Sequence, residues 1–399
     1  MQFIFMLILI LFIGCENQSS DQDVNDKGSE IFVTLQDSDY IAIVRASDLS
    51  LLDTIKINLN EMDMMGMNEA PHDVAVDGQN NYWFTTAMMG QHIGMYSTET
   101  NELVSSYPIA QMPALLSLDK TNMKLYVSRG MTGNGIETNI IYELSYANDM
   151  LELVNEWPVL FEYAHGIHFD QTSGNVFVVS KTNDYIAKIN PNQAPSEGSN
   201  PILVSMDIET ASNPTIPINR LRPIHISGKY PYLFITCSAG EWMANQQSYD
   251  EINGQVQMWH MDDMNLLATT EFGLYSRPWH IEASPLEDKI FVALAGGSEN
   301  SESDSGIACL EFSYINSEYT LNEAWRNTSS EYGTMHGITV ESNCEGDYFV
   351  YGTGRTDGTI YKFDPDTGDE ISRTNLTNSG NAATGGIDIN SSCSDTCCD

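Results

Sequence analysis

Short apolar runs separated by clusters of Gly, Asn, Asp and Ser recur along the chain from residue 31 to residue 390, and no long stretch shows a helical period. The clearest stretch reads His72 to Asp77, a turn at Gly78-Gln79-Asn80, then Tyr82 to Ala87, His92 to Ser97, a turn at Thr98-Glu99-Thr100-Asn101, and Glu102 to Ile109. That pattern predicts four antiparallel strands in a row. The last turn has counterparts in Asp364-Pro365-Asp366-Thr367-Gly368 and Arg45-Ala46-Ser47-Asp48-Leu49. Such units begin near residues 71, 113, 164, 223, 278, 335 and 384, a period that signals a radial array of sheets. The last unit has only the run Gly386 to Asn390, whereas residues 31–59 supply three strands with no inner strand before them. Pairing the two ends completes a seventh sheet and leaves no open edge. The expected fold is therefore all-β, a seven-bladed β-propeller closed by its N- and C-terminal strands.

Outside that array the chain changes character. Residues 1–14 are almost wholly apolar, with no Lys or Arg, and run into Cys15. The stretch is too short to span a bilayer and has the form of a lipoprotein signal whose cysteine becomes lipidated. Residues 16–30 are polar and suit a flexible tether, 31–390 the propeller, and 391–399 a Cys-rich tail. The expected address is export, to the periplasm or cell surface, with membrane contact through the lipid anchor only. Lys+Arg 17 against Asp+Glu 55 gives a net charge of -38, which excludes nucleic acid and anionic lipid surfaces as partners. The seven cysteines, Cys15, Cys237, Cys309, Cys344, Cys393, Cys397 and Cys398, could pair in an oxidising compartment, in a connectivity the spacing does not fix.

Candidate chemistry lies where the units begin. In register they read Pro71-His72-Asp73-Val74, Pro113-Ala114-Leu115-Leu116, Ala164-His165-Gly166-Ile167-His168, Pro223-Ile224-His225-Ile226, Pro278-Trp279-His280-Ile281, Met335-His336-Gly337-Ile338 and Thr384-Gly385-Gly386-Ile387. Five of the seven carry His at the second or third residue. In an up-and-down blade the start of the inner strand and the loop between the second and third strands share one face of the disc. His72, His165, His225, His280 and His336, with His168 further down the wall and His92 closing a second-to-third loop, should then converge on one funnel. His260 falls on the other face. Imidazole is the commonest metal ligand, and seven on one face exceed what a mononuclear zinc site uses. Met62, Met64, Met65 and Met67 before the first such strand, and Met88 and Met89 before His92, offer soft thioether sulfur suited to capturing Cu(I). The alternative for these methionines is gap filling between loops.

The Pro71-His72-Asp73 motif and the His-bearing strand starts of successive blades resemble the catalytic domain of nitrous oxide reductase, in which seven histidines hold a tetranuclear copper-sulfide cluster. The resemblance implies that His72, His165, His168, His225, His280, His336 and His92 are metal ligands, that the cofactor is polynuclear, sulfide-bridged copper, and that a small-molecule substrate, nitrous oxide, is reduced to dinitrogen. The family has an adjacent His-His pair where this chain has His165-Gly166-Ile167-His168. It usually continues into a cupredoxin domain, for which these residues leave no room, so an external electron donor is implied. Asp73 is a candidate to orient a ligand's second ring nitrogen. Lys181, Glu241 and Arg355, in second-to-third loops, could deliver protons to bound oxygen. Competing resemblances are to streptogramin lyases, through Tyr82-Trp83-Phe84-Thr85 and His92-Ile93-Gly94, and to YVTN-type and lactonase-like propellers. Copper methanethiol oxidases and carotenoid oxygenases are further options, as are a non-catalytic binding propeller and a homodimer whose second copy completes the funnel.

Overall fold

A computed structural model describes residues 28–59, 68–130, 140–195, 200–207, 220–239, 252–297, 304–342, 348–377 and 383–391. Cys15, Met62, Met64, Met65, Met67, Glu241, Cys344 and the three tail cysteines lie outside these residues.

The described strands form seven four-stranded antiparallel sheets. In the closing blade, β1 (Glu30–Leu35), β2 (Tyr40–Arg45) and β3 (Leu51–Lys56) are joined by the chain's last strand, β28 (Thr384–Asn390), in the order β28-β1-β2-β3. The next blade is β4 (Pro71–Asp77), β5 (Tyr82–Ala87), β6 (His92–Ser97) and β7 (Leu103–Pro108). The others run β8 (Pro113–Asp119) to β11 (Glu152–Pro158), β12 (Ala164–Asp170) to β15 (Ile202–Ser205), β16 (Pro223–Lys229) to β19 (Leu266–Gly273), β20 (Pro278–Ala283) to β23 (Glu318–Ser329) and β24 (Met335–Ser342) to β27 (Glu370–Asn375). The seven inner strands begin at the seven positions read from the sequence. The expected architecture and closure are therefore found.

Burial explains the strand patterns. Second strands such as β5 (YWFTTA) are buried along nearly their whole length because each is covered by a neighbouring blade on both faces. Outer strands such as β27 (EISRTN) alternate half-buried and exposed positions. The core is accordingly a set of inter-blade clusters. One joins Phe32 and Ile41 of the closing blade to Val74, Val76 and Trp83 of the next, with Trp83 stacked on Tyr96 at 4.1 Å. Among the described residues Cys237 and Cys309 are free, buried thiols, and no helix is long and apolar enough to cross a membrane.

Two regularities shape the axis. First, the residue after each second strand donates its backbone N–H to the carbonyl before the inner strand, at 2.7–3.3 Å in all seven blades: Gln36 to Ala383, Met88 to Ala70, Gly130 to Met112, Lys181 to Tyr163, Ser238 to Arg222, Ala295 to Arg277 and Arg355 to Thr334. Second, the inner-strand pairing slips within the first four residues of every inner strand, as between Pro71 and Val74 or Pro278 and Ile281. Such bulges re-aim side chains, and here they occur where the histidines stand.

Candidate functional site

A belt of hydroxyls fixes the backbone beneath the imidazoles. Thr34, Thr86, Ser128, Thr236 and Thr353, next to last in or near the ends of second strands, donate to the carbonyls of His72, Ala114, His165, Trp279 and Gly385 on the following inner strand. Several also accept from their own blade: Asp73 N–H reaches Thr86 Oγ1 at 2.9 Å, His225 N–H reaches Thr236 Oγ1 at 3.1 Å and Gly337 N–H reaches Thr353 Oγ1 at 3.0 Å. Each hydroxyl thus ties one slot to the next around the axis. The strands approach so closely there that a Cβ on Gly337 would stand 2.7 Å from the Gly385 carbonyl oxygen, and one on Gly166 2.8 Å from that of Ile224.

Six of the seven candidate histidines come together on this scaffold, in two tiers. His72, His165 and His336, at the second residue of their strands, line an outer cavity of about 310 Å³. His225 and His280, at the third residue, and His168 line an inner cavity of about 200 Å³. His225 and His280 stand one residue further along their strands than His72, His165 and His336, and they line the inner cavity together with residues that follow such positions in other blades, among them Val74 and Ile338. Ring centroids of His225 and His280 are 4.2 Å apart, those of His280 and His336 4.8 Å, and His72 stands 6.2 Å from both His165 and His336. His92 is the seventh, and it stands apart: its Nδ1 lies 2.7 Å from the Gly90 carbonyl, and it lines neither cavity. His260 ends its strand with Nδ1 3.3 Å from Asp263, away from both cavities.

The imidazoles are neutral. Burial pushes His72 down to about 3 and His168 and His225 to about 4, and holds His165, His280 and His336 well below 6.5. The charges of Arg355 and Lys181 push His72 in the same direction. Neutral imidazole is the ligating form. His165 Nδ1 is held by the Ile224 carbonyl at 2.8 Å, which leaves Nε2 for a ligand. Among the described residues His168 Nε2, His225 Nδ1, His280 Nε2 and His336 Nδ1 are buried with no hydrogen-bond partner, and each such atom costs on the order of 1–3 kcal/mol if left that way. Among the described residues no group of three or more His, Cys, Asp or Glu is gathered to hold a metal ion.

The carboxylate expected to orient a ligand does something else. Asp73 Oδ2 accepts from the Leu116 N–H of the next blade at 2.8 Å, and burial pushes its pKa up to about 7. It lines the inner cavity with Glu282, pushed up to about 8 by burial, and Asp388, also raised by burial. Lys181 and Arg355 line the outer cavity, and Met88 reaches it while Met89 is exposed. Sequence reasoning missed Arg222 and Arg277, which line the same cavity. Their signal was available: both immediately precede the proline that opens a His-bearing strand, as Arg222-Pro223 and Arg277-Pro278. Their φ angles are 53° and 46°, matching Ala70 (51°), Met112 (52°) and Tyr163 (50°) at the same place in other blades, so this left-handed kink belongs to the fold.

No known family's sequence profile and no curated protein matches this chain. Solved structures do. The chain is similar to the periplasmic gluconolactonase PpgL of Pseudomonas aeruginosa, with 12% identity over 90% of this chain and 98% of that one, at a TM-score of 0.62. It is similar to a functionally unknown protein of Desulfotomaculum acetoxidans, with 12% identity over 91% and 99% of the two chains and a TM-score of 0.64. It is also similar to the dihydro-heme d1 dehydrogenase NirN, with 10% identity over 90% and 74% and a TM-score of 0.53. At such identities these likenesses establish the seven-bladed propeller and nothing about its chemistry.

Proposed function

We propose that the axial channel is a polynuclear copper site and that the protein is a copper-dependent oxidoreductase, with reduction of nitrous oxide the reaction its sequence resemblance favours. One observation carries the metal reading: three unpartnered, buried imidazole nitrogens, on His225, His280 and His336, lie within a single cluster of neutral rings, and His168, with a fourth, lines the same inner cavity as His225 and His280. Neutral nitrogen donors suit copper in both common oxidation states. When bound, copper would supply electrons and Lewis acidity at the channel axis.

The chain's own residues would do the rest. The hydroxyl belt and inter-blade contacts hold the imidazoles in place, and the Ile224 carbonyl fixes the His165 tautomer. Lys181, above the ring and pushed down to about 8 by burial and by the nearby charges of Arg222 and Arg355, is placed to give a proton to departing oxygen. The overall change is N₂O + 2 H⁺ + 2 e⁻ → N₂ + H₂O, with the electrons brought by an external carrier. Export as a lipoprotein would put the site where such carriers and exogenous copper meet.

Anaerobic copper loading followed by metal analysis tests the reading. More than one copper per chain is expected, falling in His225→Ala and His280→Ala while His260→Ala keeps the wild-type count and all three stay folded. One ion or none in the wild type would overturn it. A viologen-coupled assay on loaded protein, silent for nitrous oxide and active on a thiol, would move the chemistry to the oxidase class.

A further inference from the structure

Four cations crowd the outer cavity of a chain that has only 17 Lys and Arg against 55 Asp and Glu. Lys181 follows β13 (Asn175–Ser180), Arg355 follows β25 (Tyr348–Gly354), and Arg222 and Arg277 precede β16 and β20. Four blades thus contribute, at two repeating positions of the fold. No Asp or Glu lines that cavity among the described residues.

Their geometry is organised. Arg355 Nη2 donates to Gln36 Oε1 at 2.8 Å and Nη1 to the Thr384 carbonyl at 3.3 Å. Gln36 in turn lies 3.5 Å from His72 Nδ1, so this guanidinium is linked through one side chain to the outer histidine tier. Lys181 and Arg222 each stand 5.8 Å from the Trp279 ring, whose centroid is 5.5 Å from that of His336.

We infer that the outer cavity binds a small inorganic oxyanion directly above the outer histidine tier. Guanidinium groups present paired donors that match oxyanions. Crowded like charges in a partly buried cavity are relieved by a bound anion, and the depressed pKa of Lys181, caused by burial and then by Arg222 and Arg355, reflects that crowding. Copper beneath would add positive charge and strengthen the requirement. Anion binding does not depend on the copper reading above.

The test separates the two. Metal-free, full-length protein is titrated calorimetrically with sulfate and with nitrite at low ionic strength, beside Lys181→Met, Arg277→Gln and Arg355→Gln. Each variant is also loaded with copper. One anion per chain is expected, weakened about tenfold or more by each substitution, with the copper count of each variant unchanged. Absence of binding by either probe, or binding indifferent to all three substitutions, overturns the inference whatever the copper count. Normal anion binding with no copper uptake overturns the metal reading alone.

Discussion

Replacing Thr236 with Val tests whether the hydroxyl belt holds the site together. The side chain is fully buried, and the substitution keeps its shape while removing one oxygen. That oxygen accepts from the His225 N–H at 3.1 Å and donates to the Trp279 carbonyl, so it joins the peptide that carries His225 to the one preceding His280. The two rings are stacked at 4.2 Å, closer than any other imidazole pair described. Val leaves a donor and an acceptor buried without partners, at about 1–3 kcal/mol each, for a loss of roughly 2–6 kcal/mol. Thr236→Ser keeps the hydroxyl and loses only a methyl, about 1 kcal/mol. Urea unfolding should therefore rank wild type above Ser and Ser above Val, and copper uptake should follow the same order. If Val proves as stable as Ser, or unfolds early yet binds copper fully, the belt does not position the imidazoles and this reasoning fails.

Gly337→Ala should destabilise by about 1–3 kcal/mol, because the new Cβ meets the Gly385 carbonyl oxygen at 2.7 Å and Ile387 and Thr353 at 2.8 Å. Copper uptake should fall with it, since His336 is the adjacent residue, and an unchanged unfolding midpoint would contradict the close approach of the inner strands. Acid should unfold the metal-free protein early: the folded imidazoles titrate far below 6.5, at about 3 for His72 and about 4 for His168 and His225, so the unfolded chain takes up protons first and stability is lost as pH falls below 6.5. Asp73, Glu282 and Asp184, raised to about 7, about 8 and about 6, and Asp388, also raised, act in the opposite sense, adding stability as pH falls from 8 toward their unfolded values, but six imidazoles outnumber these four carboxyls. Stability that stays flat or rises between pH 6.5 and 5 would refute that balance, and bound copper should move the acid midpoint lower.

The fold was legible because the property that makes a propeller is local. Each blade needs four short strands with tight turns, and each turn writes its own Gly, Asn or Asp into the sequence, as at Gly78-Gln79-Asn80 and Asp364-Pro365-Asp366. The inner-strand starts at Pro71, Pro113, Ala164, Pro223, Pro278, Met335 and Thr384 could be aligned by eye for the same reason. The histidines followed from that alignment, and the convergence of six of them needed only the rule that equivalent positions in a radial array face one axis. His92 failed the rule: it opens a third strand, one step outward from the axis, and its ring turns to the Gly90 carbonyl.

What stayed hidden depended on contacts between blades. Asp73 follows a histidine and looked like its natural partner, yet its carboxylate reaches across to the Leu116 N–H, a choice set by how closely two inner strands pack. The division into two cavities turns on a single residue. His72, His165 and His336 occupy the second slot, His225 and His280 the third, and beside the bulge that one step along the strand separates two chambers with different polar linings. The outer chamber collects Lys181, Arg222, Arg277 and Arg355; the inner one collects Asp73, Glu282 and Asp388, with Lys120 beside them. Net charge conceals this entirely, since -38 describes the surface of the disc and not its axis. A channel that is cationic on one side of a neutral imidazole partition and carboxylate-lined on the other has a direction. Anions are favoured at the outer end, whereas burial raises Asp73 and Glu282 to about 7 and about 8, so the inner end carries exchangeable protons rather than full negative charge.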